Sequence, residues 1–563
     1  MHKLLILFLF PIVFCQAQQD IYPQDYFRDP LDIPLLLAGT FGELRSNHFH
    51  SGIDIKTQQR EGLKVYAIAD GFVSRIKISH YGYGKALYIT HPNGYTSVYA
   101  HLQRFSPEIE AYVKNIQYEK ETYEIEVFPT AIAIQIKKGD IVAYSGNTGS
   151  SGGPHLHFEI RDNEERPINP MYFGIDIKDT TKPYISQIYA YPVTDSAHVN
   201  RSNEKQKLRL IALKNGDYTA ENIEAFGKIG FGIETNDRQD YTSNKNGVAS
   251  IQTFFNGNSS FEIDFKRFSF DETNHLNRLI DYEHYITNKE RIQKLFVEEN
   301  NPLSMYKNLN DNGYLSILDS TNSVYKIRVK DFKNNDAWIT LNIAGKKQDT
   351  IKPKHVPKTE HYLYANQDTK LSSKNVSVNI PRNTFYDDFY IDFKVKNDTL
   401  TLHDNTIPAN KYFKIDYDIS HYNNPDRDKL YIARLVGYYK YPVYSKTYKS
   451  ENSLSTSTKY LGTYALVSDT TGPIIKPKNF TDGKWLSNYH FLKIVIDDKE
   501  SGISNYRATI NGQWILMEYE YKTKTLTYNF NDKILNETKN NLKLIVTDNV
   551  GNSSTFEATF YRK

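Results

Sequence analysis

Four histidines and an aspartate near the front of the chain have the types and spacing that could hold a metal and move protons. They sit in His50-Ser-Gly-Ile-Asp54, Tyr99-Ala-His101-Leu102 and His155-Leu-His157-Phe-Glu159. Each is weak alone. A His-x3-Asp pair arises by chance in a chain with 16 histidines, and a single strand histidine is more often a hydrogen-bonded sheet residue than a catalyst. Together they offer more. One aspartate and two histidines make three ligands of the kind zinc prefers, with a fourth position left for water, and two further histidines remain for acid–base work. His48 shares the sequence neighbourhood of His50 but lacks partner spacing, so it belongs at most beside the ligands. His91 precedes a Pro-Asn-Gly turn and reads as structural. Asn47 is near enough to His50 to be considered as a cap on an open metal position.

The elements that must position these residues are strands and a turn. In a strand the two-residue period puts His155 and His157 on one face and turns Leu156 and Phe158 toward a core. The run Gly146-Asn-Thr-Gly149-Ser-Ser-Gly152-Gly153-Pro154 just before them is a turn that allows close approach of another group. His101 ends the strand-like run Thr96-Ser-Val-Tyr-Ala-His, in which Val98 and Ala100 alternate with Tyr99 and His101. Glu159 is either a carboxylate that orients an imidazole or a charge at an exposed strand end.

These motifs, with Tyr66-Ala-Ile-Ala-Asp-Gly71-Phe-Val73, Tyr81-Gly-Tyr-Gly84 and Lys138-Gly-Asp140 between them, resemble the lysostaphin-type (LytM-like) zinc metallopeptidases, which have a duplicated-hybrid-motif fold. The resemblance covers roughly residues 37–165. It implies zinc bound by His50, Asp54 and His157, with His101 and His155 acting on the substrate, and it leaves open which of those two is the general base. It also implies an activity, hydrolysis of peptide bonds in bacterial cell-wall cross-links. One departure stands out. The stretch between Leu102 and Lys137 is longer than the family pattern usually has, and the insert, Tyr112 to Ile132, reads as strand-like, with Tyr123-Glu-Ile-Glu-Val127 alternating. Such an insert is expected to form a wall or lid of the substrate groove.

The rest of the 563 residues sets the context. That length suggests roughly three or four domains. With 69 Lys+Arg against 66 Asp+Glu the net charge is only +3, which argues against a charge-driven nucleic-acid binder. Aromatics reach 14%, with 44 Tyr and 30 Phe, as in folded, β-rich chains. Residues 1–17 read as a secretory signal peptide, since Leu4–Phe14 is apolar but too short to span a bilayer. The alternative is a lipoprotein signal with Cys15 lipidated. Cys15 is the only cysteine, so the mature chain has no disulfide, which fits a bacterial periplasm, outer membrane or cell surface. No later stretch is apolar enough for a transmembrane helix.

An internal repeat is visible downstream. Asp179-Thr-Thr-Lys-Pro183 returns as Asp469-Thr-Thr-Gly-Pro473, Asn256-Gly257 as Asn511-Gly512, and the strand closing on Asp331 and Asn335 as the one closing on Asp548 and Asn552. The expected fold is all-β and multidomain. It comprises a peptidase domain over 18–178, an immunoglobulin-like β-sandwich over 179–349 with a helix-like insertion near Leu276–Phe296, a β-sandwich over 350–468, and a second immunoglobulin-like sandwich over 469–563. The expected function is an exported zinc metalloendopeptidase acting on peptidoglycan peptides, its β modules binding wall or surface components. The alternatives are a LytM-like regulator that activates other wall hydrolases without catalysis, and a secreted protease against proteins. The presence of all three ligand candidates and both further histidines favours the enzyme.

Overall fold

The computed structural model describes residues 22–532, 535 and 537–563; the expected signal peptide lies outside them. Strands dominate the described residues, and none of their helices is long and apolar enough to cross a membrane. The front domain is built from β1 (Leu37–Gly39), β2 (Ile53–Lys56), β3 (Lys64–Tyr66), β4 (Gly71–Ile78), β5 (Lys85–Thr90), β6 (Thr96–Ala100), β7 (Arg104–Phe105), α1 (Pro107–Lys120), β8 (Ile125–Val127), β9 (Gln135–Ile136), β10 (Ile141–Tyr144), β11 (His155–Arg161) and β12 (Pro167–Ile168). A nine-stranded sheet runs β1-β2-β11-β6-β5-β4-β8, with β12 on β11 and β9 on β4, and a small sheet runs β3-β10-β7.

The centre of the large sheet carries the chemistry. β11 lies between β2 and β6, both antiparallel, and its register sets His157 opposite Asp54 on one side and Ala100 on the other. Leu156, Phe158 and Ile160 point the other way and are fully buried in the domain core with Tyr99, Ile53 and Ile55. A one-residue slip of β11 would exchange these two faces, so the buried Leu-x-Phe-x-Ile series fixes the side on which His155, His157 and Glu159 emerge.

The insert differs from the strand-like expectation. Its first half is helix α1, opened by Pro107 at the first turn with Glu108 and Glu110 near the N-terminus, as the helix dipole favours. Ile109 and Val113, one turn apart, are buried in the front-domain core. The helix does not wall the cleft. It docks the C-terminal module: Lys114 Nζ and Tyr118 OH bind Asp532, at 2.5 and 3.0 Å, and the Tyr118 ring meets Trp514 edge-on. Only β8 keeps the expected alternating stretch.

Beyond the front domain lie further sheets. Residues 184–345 contribute a 13-stranded sheet, residues 369–468 two five-stranded sheets, and residues 474–561 a four- and a five-stranded sheet. Both Asn-Gly pairs form the tight hairpin turns their sequence favours, with positive φ at Asn256, Gly257, Asn511 and Gly512. The Leu276–Phe296 insertion holds two short helices, Leu276–Leu279 and Tyr282–Asn288.

The front domain is not separate from the second. Phe41 and Phe49, 0% and 1% exposed, leave the front core and bury in the second module against Phe265 and Phe268. They bracket the loop that delivers His50. Phe49→Ala should therefore cost about 3–5 kcal/mol of stability, read as a lower midpoint in thermal or urea unfolding.

Candidate metal centre

Three buried side chains aim one atom each at a common point. His50 Nε2, Asp54 Oδ1 and His157 Nδ1 are separated by 3.1, 3.0 and 2.9 Å, and all three residues are at most 5% exposed. His50 comes from the loop before β2, Asp54 from β2 and His157 from β11. The far side of each imidazole is committed: His50 Nδ1 donates to the Thr40 carbonyl at 2.7 Å, and His157 Nε2 to Glu159 Oε1 at 2.8 Å. The other nitrogen of each ring, 3.0 Å from its neighbour beside a carboxylate oxygen, then faces a shared cation, a proton on His157 Nδ1 or a metal ion that displaces it. Two imidazole nitrogens and a carboxylate oxygen form a donor set suited to zinc.

Glu159 is the hub behind the centre. It is fully buried, and its carboxylate accepts from His157, from Ser51 Oγ at 2.6 Å, from the Tyr83 hydroxyl and from Arg161 Nε at 2.7 Å. Burial alone would raise its pKa, but the Arg161 guanidinium and the His157 bond hold it well below the usual carboxylate range. Of its two sequence readings, the orienting one holds. On the other flank Arg45 Nη2 binds Asp54 Oδ2 at 2.6 Å, leaving Oδ1 for the centre. Burial pushes Asp54 up, but the surrounding histidines carry it well below the carboxylate range. A side chain at Gly39 would meet Arg45 Nη2 at 2.5 Å and Asp54 Oδ2 at 2.9 Å, so the approach of this pair depends on that glycine.

The other two histidines line the adjoining cleft of about 860 Å³, with Asp54, Arg45, Ser151 and, from the second module, Asn244. His155 Nδ1 donates to the Gly153 carbonyl at 2.8 Å, and its Nε2 lies 3.4 Å from Asp54 Oδ1. His101 Nδ1 donates to the Thr148 carbonyl at 2.8 Å, and its ring is 4.8 Å from that of His155. Burial, then the charges of His157 and His155, lower its pKa to about 3, so it is neutral at physiological pH.

The route by which His101 arrives differs from the strand reading. Tyr99 stands opposite Phe158 and is buried in the core, so continued alternation would send His101 there too. β6 stops at Ala100, and a φ of +58° at His101 turns its side chain to the His157 face.

The remaining candidates fall elsewhere. His91 is structural, with Nδ1 bonded to the Asp70 carbonyl and Nε2 to Ser97 Oγ, both at 2.8 Å. His48 is exposed and bonds the Ser46 carbonyl. Asn47 does not cap the centre: it bonds Tyr460 of the third module and Asn277 of the second. Sequence reasoning missed Arg45, Tyr83 and Ser51. Arg45 lay within the motif's own neighbourhood, and Tyr83 lay inside the Tyr81–Gly84 motif, but its bond to Glu159 spans 76 positions and nothing local pointed to that partner.

The Gly-rich loop is gripped from behind. Gly149 has a φ of +69°, and a side chain there would lie 2.3 Å from the Gly84 nitrogen. Lys522, at a hairpin tip of the C-terminal module, donates to the carbonyls of Asn147, Gly149 and Ser151. The C-terminal module thus contacts the same loop whose carbonyls at Thr148 and Gly153 orient His101 and His155.

With this geometry in place, comparison with known proteins identifies its class. Residues 48–118 and 131–170 match the family model Peptidase family M23, and residues 360–469 match that of a Zu5-like domain. The break in the M23 match, residues 119–130, takes in the end of α1, the following turn and β8, all within the insert. The chain is 33% identical over 139 residues to the DD-carboxypeptidase/endopeptidase Mpg of Neisseria meningitidis serogroup B, covering 25% of this chain and 26% of that protein. It is 27% identical over 157 residues to the peptidoglycan DD-endopeptidase ShyB of Vibrio cholerae, covering 28% and 30%. The chain thus spans about a quarter of the length of these curated relatives. Among solved structures, the catalytic domain of lysostaphin from Staphylococcus simulans aligns at 24% identity, over 23% of this chain and 86% of that one, with a TM-score of 0.18. The front domain is accordingly of the M23, LytM-like type, as the motifs imply.

Two outcomes follow from this centre. Burial pulls His157 down, but its bonds to Asp54 and Glu159 outweigh that and raise its pKa to about 9. A metal must therefore displace a proton from His157 below that pH. Apparent metal affinity, measured by chelator competition, should rise roughly tenfold per pH unit up to about pH 9 and then level off. Glu159→Gln should weaken metal binding about 10- to 100-fold at neutral pH.

Proposed function

We propose that this protein is an exported zinc metalloendopeptidase that hydrolyses peptide bonds in peptidoglycan cross-link peptides. The observation that carries the reading is the convergence of His50 Nε2, Asp54 Oδ1 and His157 Nδ1 within 3.1 Å of one another at the head of a cleft that holds two more histidines. The M23 match and the peptidoglycan endopeptidases among the relatives support the substrate class. The envelope is where such a substrate lies, and the apolar Leu4–Phe14 run supports export.

His50, Asp54 and His157 would hold the ion. When bound, zinc supplies a Lewis acid and a nucleophilic water at neutral pH. The protein's own groups then position and carry protons. His155 is the proton carrier in this reading: Nδ1 donates to the Gly153 carbonyl, which leaves Nε2, 3.4 Å from Asp54 Oδ1, as the nitrogen that faces the centre. It can thus take a proton from the attacking water and return it to the leaving amine. His101, kept neutral and oriented through Nδ1 by Thr148, presents Nε2 as an acceptor that aligns the water or a substrate amide. The cleft combines an apolar wall from Ile33, Leu36 and Ala38 with cationic Lys56, which suits short peptides carrying small side chains and carboxylates.

The paired variants test this directly. His157→Ala should lose both bound zinc and hydrolysis of cross-linked muropeptides. His155→Ala should retain zinc while turnover falls by about 10²–10⁴. Full hydrolysis by His157→Ala, or loss of zinc in His155→Ala, contradicts the assignment. A protein substrate assayed beside the muropeptides separates wall hydrolysis from general proteolysis.

A further inference from the structure

Two groups of carboxylates lie away from the histidine centre, one in each copy of the sequence repeat. Asp179, Asp237 and Asp331 offer oxygens within 4.8 Å of one another, and so do Asp469, Asp498 and Asp548. The members correspond. Asp179 and Asp469 open the two Asp-Thr-Thr-x-Pro segments. Asp237 and Asp498 each come one residue after a strand, Ile223–Asn236 and Phe491–Asp497. Asp331 and Asp548 close the last long strand pair of each copy. Their local bonding corresponds too: Asn335 Nδ2 donates to Asp331 Oδ2 at 2.6 Å and to the Asp179 carbonyl at 3.2 Å, and Asn552 Nδ2 to Asp548 Oδ2 at 2.7 Å and to the Asp469 carbonyl at 3.0 Å.

Clustered acids alone say little, since such turns are stable without a ligand. Asp237 adds an independent observation. It is 1% exposed, and its Oδ1 is closed off from solvent with no N–H or hydroxyl donor; its one neighbour able to bond it is the Asp179 carboxyl. Asn246, also 1% exposed and paired with Asp237 through reciprocal backbone bonds at 2.9 Å, leaves both its side-chain polar atoms without a partner. Buried polar atoms in this state cost free energy that native structures rarely leave uncompensated. The charged groups weighing most on Asp237 are themselves acids: burial, then Asp179 and Asp331, push its pKa up to about 8. The site asks for positive charge and for a ligand with open coordination.

We propose that Asp179, Asp237 and Asp331 bind a divalent cation of the calcium type; in the second copy the carboxylates of Asp469, Asp498 and Asp548 already accept backbone N–H groups of Thr471, Ser501, Gly502 and Val550, and no ion is assigned to them. The donors are all oxygen, which selects hard cations and sets this site apart from the nitrogen-bearing histidine centre.

Their place in the fold gives the cation a role. Asp179 follows Ile177, the last buried residue of the front-domain core. Beside Asp331, Lys333 Nζ reaches Asp176 at 3.2 Å and the Phe332 ring meets Tyr172 of the front domain. In the second copy the Asp469 N–H donates to the Lys429 carbonyl at 2.9 Å, and Lys429 Nζ bonds Asn552. Both clusters thus occupy joints where one module hands over to the next, and a cation at the first stiffens the joint between the front domain and the second module.

The test uses the full chain, stripped with chelator, reloaded with zinc and titrated with calcium up to about 10 mM, the weak end for extracellular modules. The expected result is one calcium ion per chain by calorimetry and a calcium-dependent rise in Tm, with the ion lost in Asp237→Asn and retained in Asp498→Asn. No calcium bound by the wild-type chain overturns the proposal and leaves a proton shared between Asp179 and Asp237 as the neutralising group. Unchanged stoichiometry in Asp237→Asn, or loss of the ion in Asp498→Asn alone, overturns the assignment to Asp179, Asp237 and Asp331. The wild-type stoichiometry and Tm shift decide the matter even where a variant does not fold.

Discussion

Holding three electron-rich atoms within 3.1 Å of one another, away from water, is the constraint on which the rest of this structure depends. Without a shared cation, two imidazole lone pairs and a carboxylate would turn away from each other or bind solvent. They stay because every other valence is already used. Thr40 takes the His50 Nδ1 proton, Glu159 that of His157 Nε2, and Arg45 the second oxygen of Asp54. Glu159 can do this only because Arg161, Ser51 and Tyr83 keep a fully buried carboxylate ionised. The energy of the centre is thus stored in the ring of hydrogen bonds around it.

The same constraint explains why the β modules pack so closely on the front domain. Five of the participating residues, Thr40, Arg45, His50, Ser51 and Tyr83, lie on loops, and loops are the least fixed part of a fold. The His50 loop is anchored by Phe41 and Phe49 in the second module's core and by Asn47 between Asn277 and Tyr460. The loop before β11 is held by Lys522 of the last module. Modules that the sequence suggested as spacers or binding scaffolds therefore form part of the support for the centre.

Much of this was legible. His50, Asp54, His101, His155 and His157 were singled out from types and spacing, and the structure brings all five together. The strand period correctly assigned Leu156 and Phe158 to the core. What failed was local geometry that breaks a period. His101 looked like one more strand residue, whereas its positive φ reverses the face it occupies. The insert after Leu102 read as strand because Tyr123–Val127 alternates, which obscured the helix signals of Pro107, Glu108 and Glu110 with Ile109 and Val113 one turn apart. Contacts of long sequence separation, such as Tyr83 to Glu159 or Lys522 to Gly149, leave no pattern in a single chain. Glu159 was left between two readings because burial is a property of the folded sheet and not of its neighbours in sequence.

The most direct measurement is anomalous X-ray diffraction at the zinc edge from crystals of the zinc-loaded protein. The account predicts one strong peak in the front domain, bonded to His50 Nε2, Asp54 Oδ1 and His157 Nδ1, with Glu159 still on His157 Nε2. A peak bonded through His155 or His101 in place of His157, or no peak in the front domain at all, would contradict it.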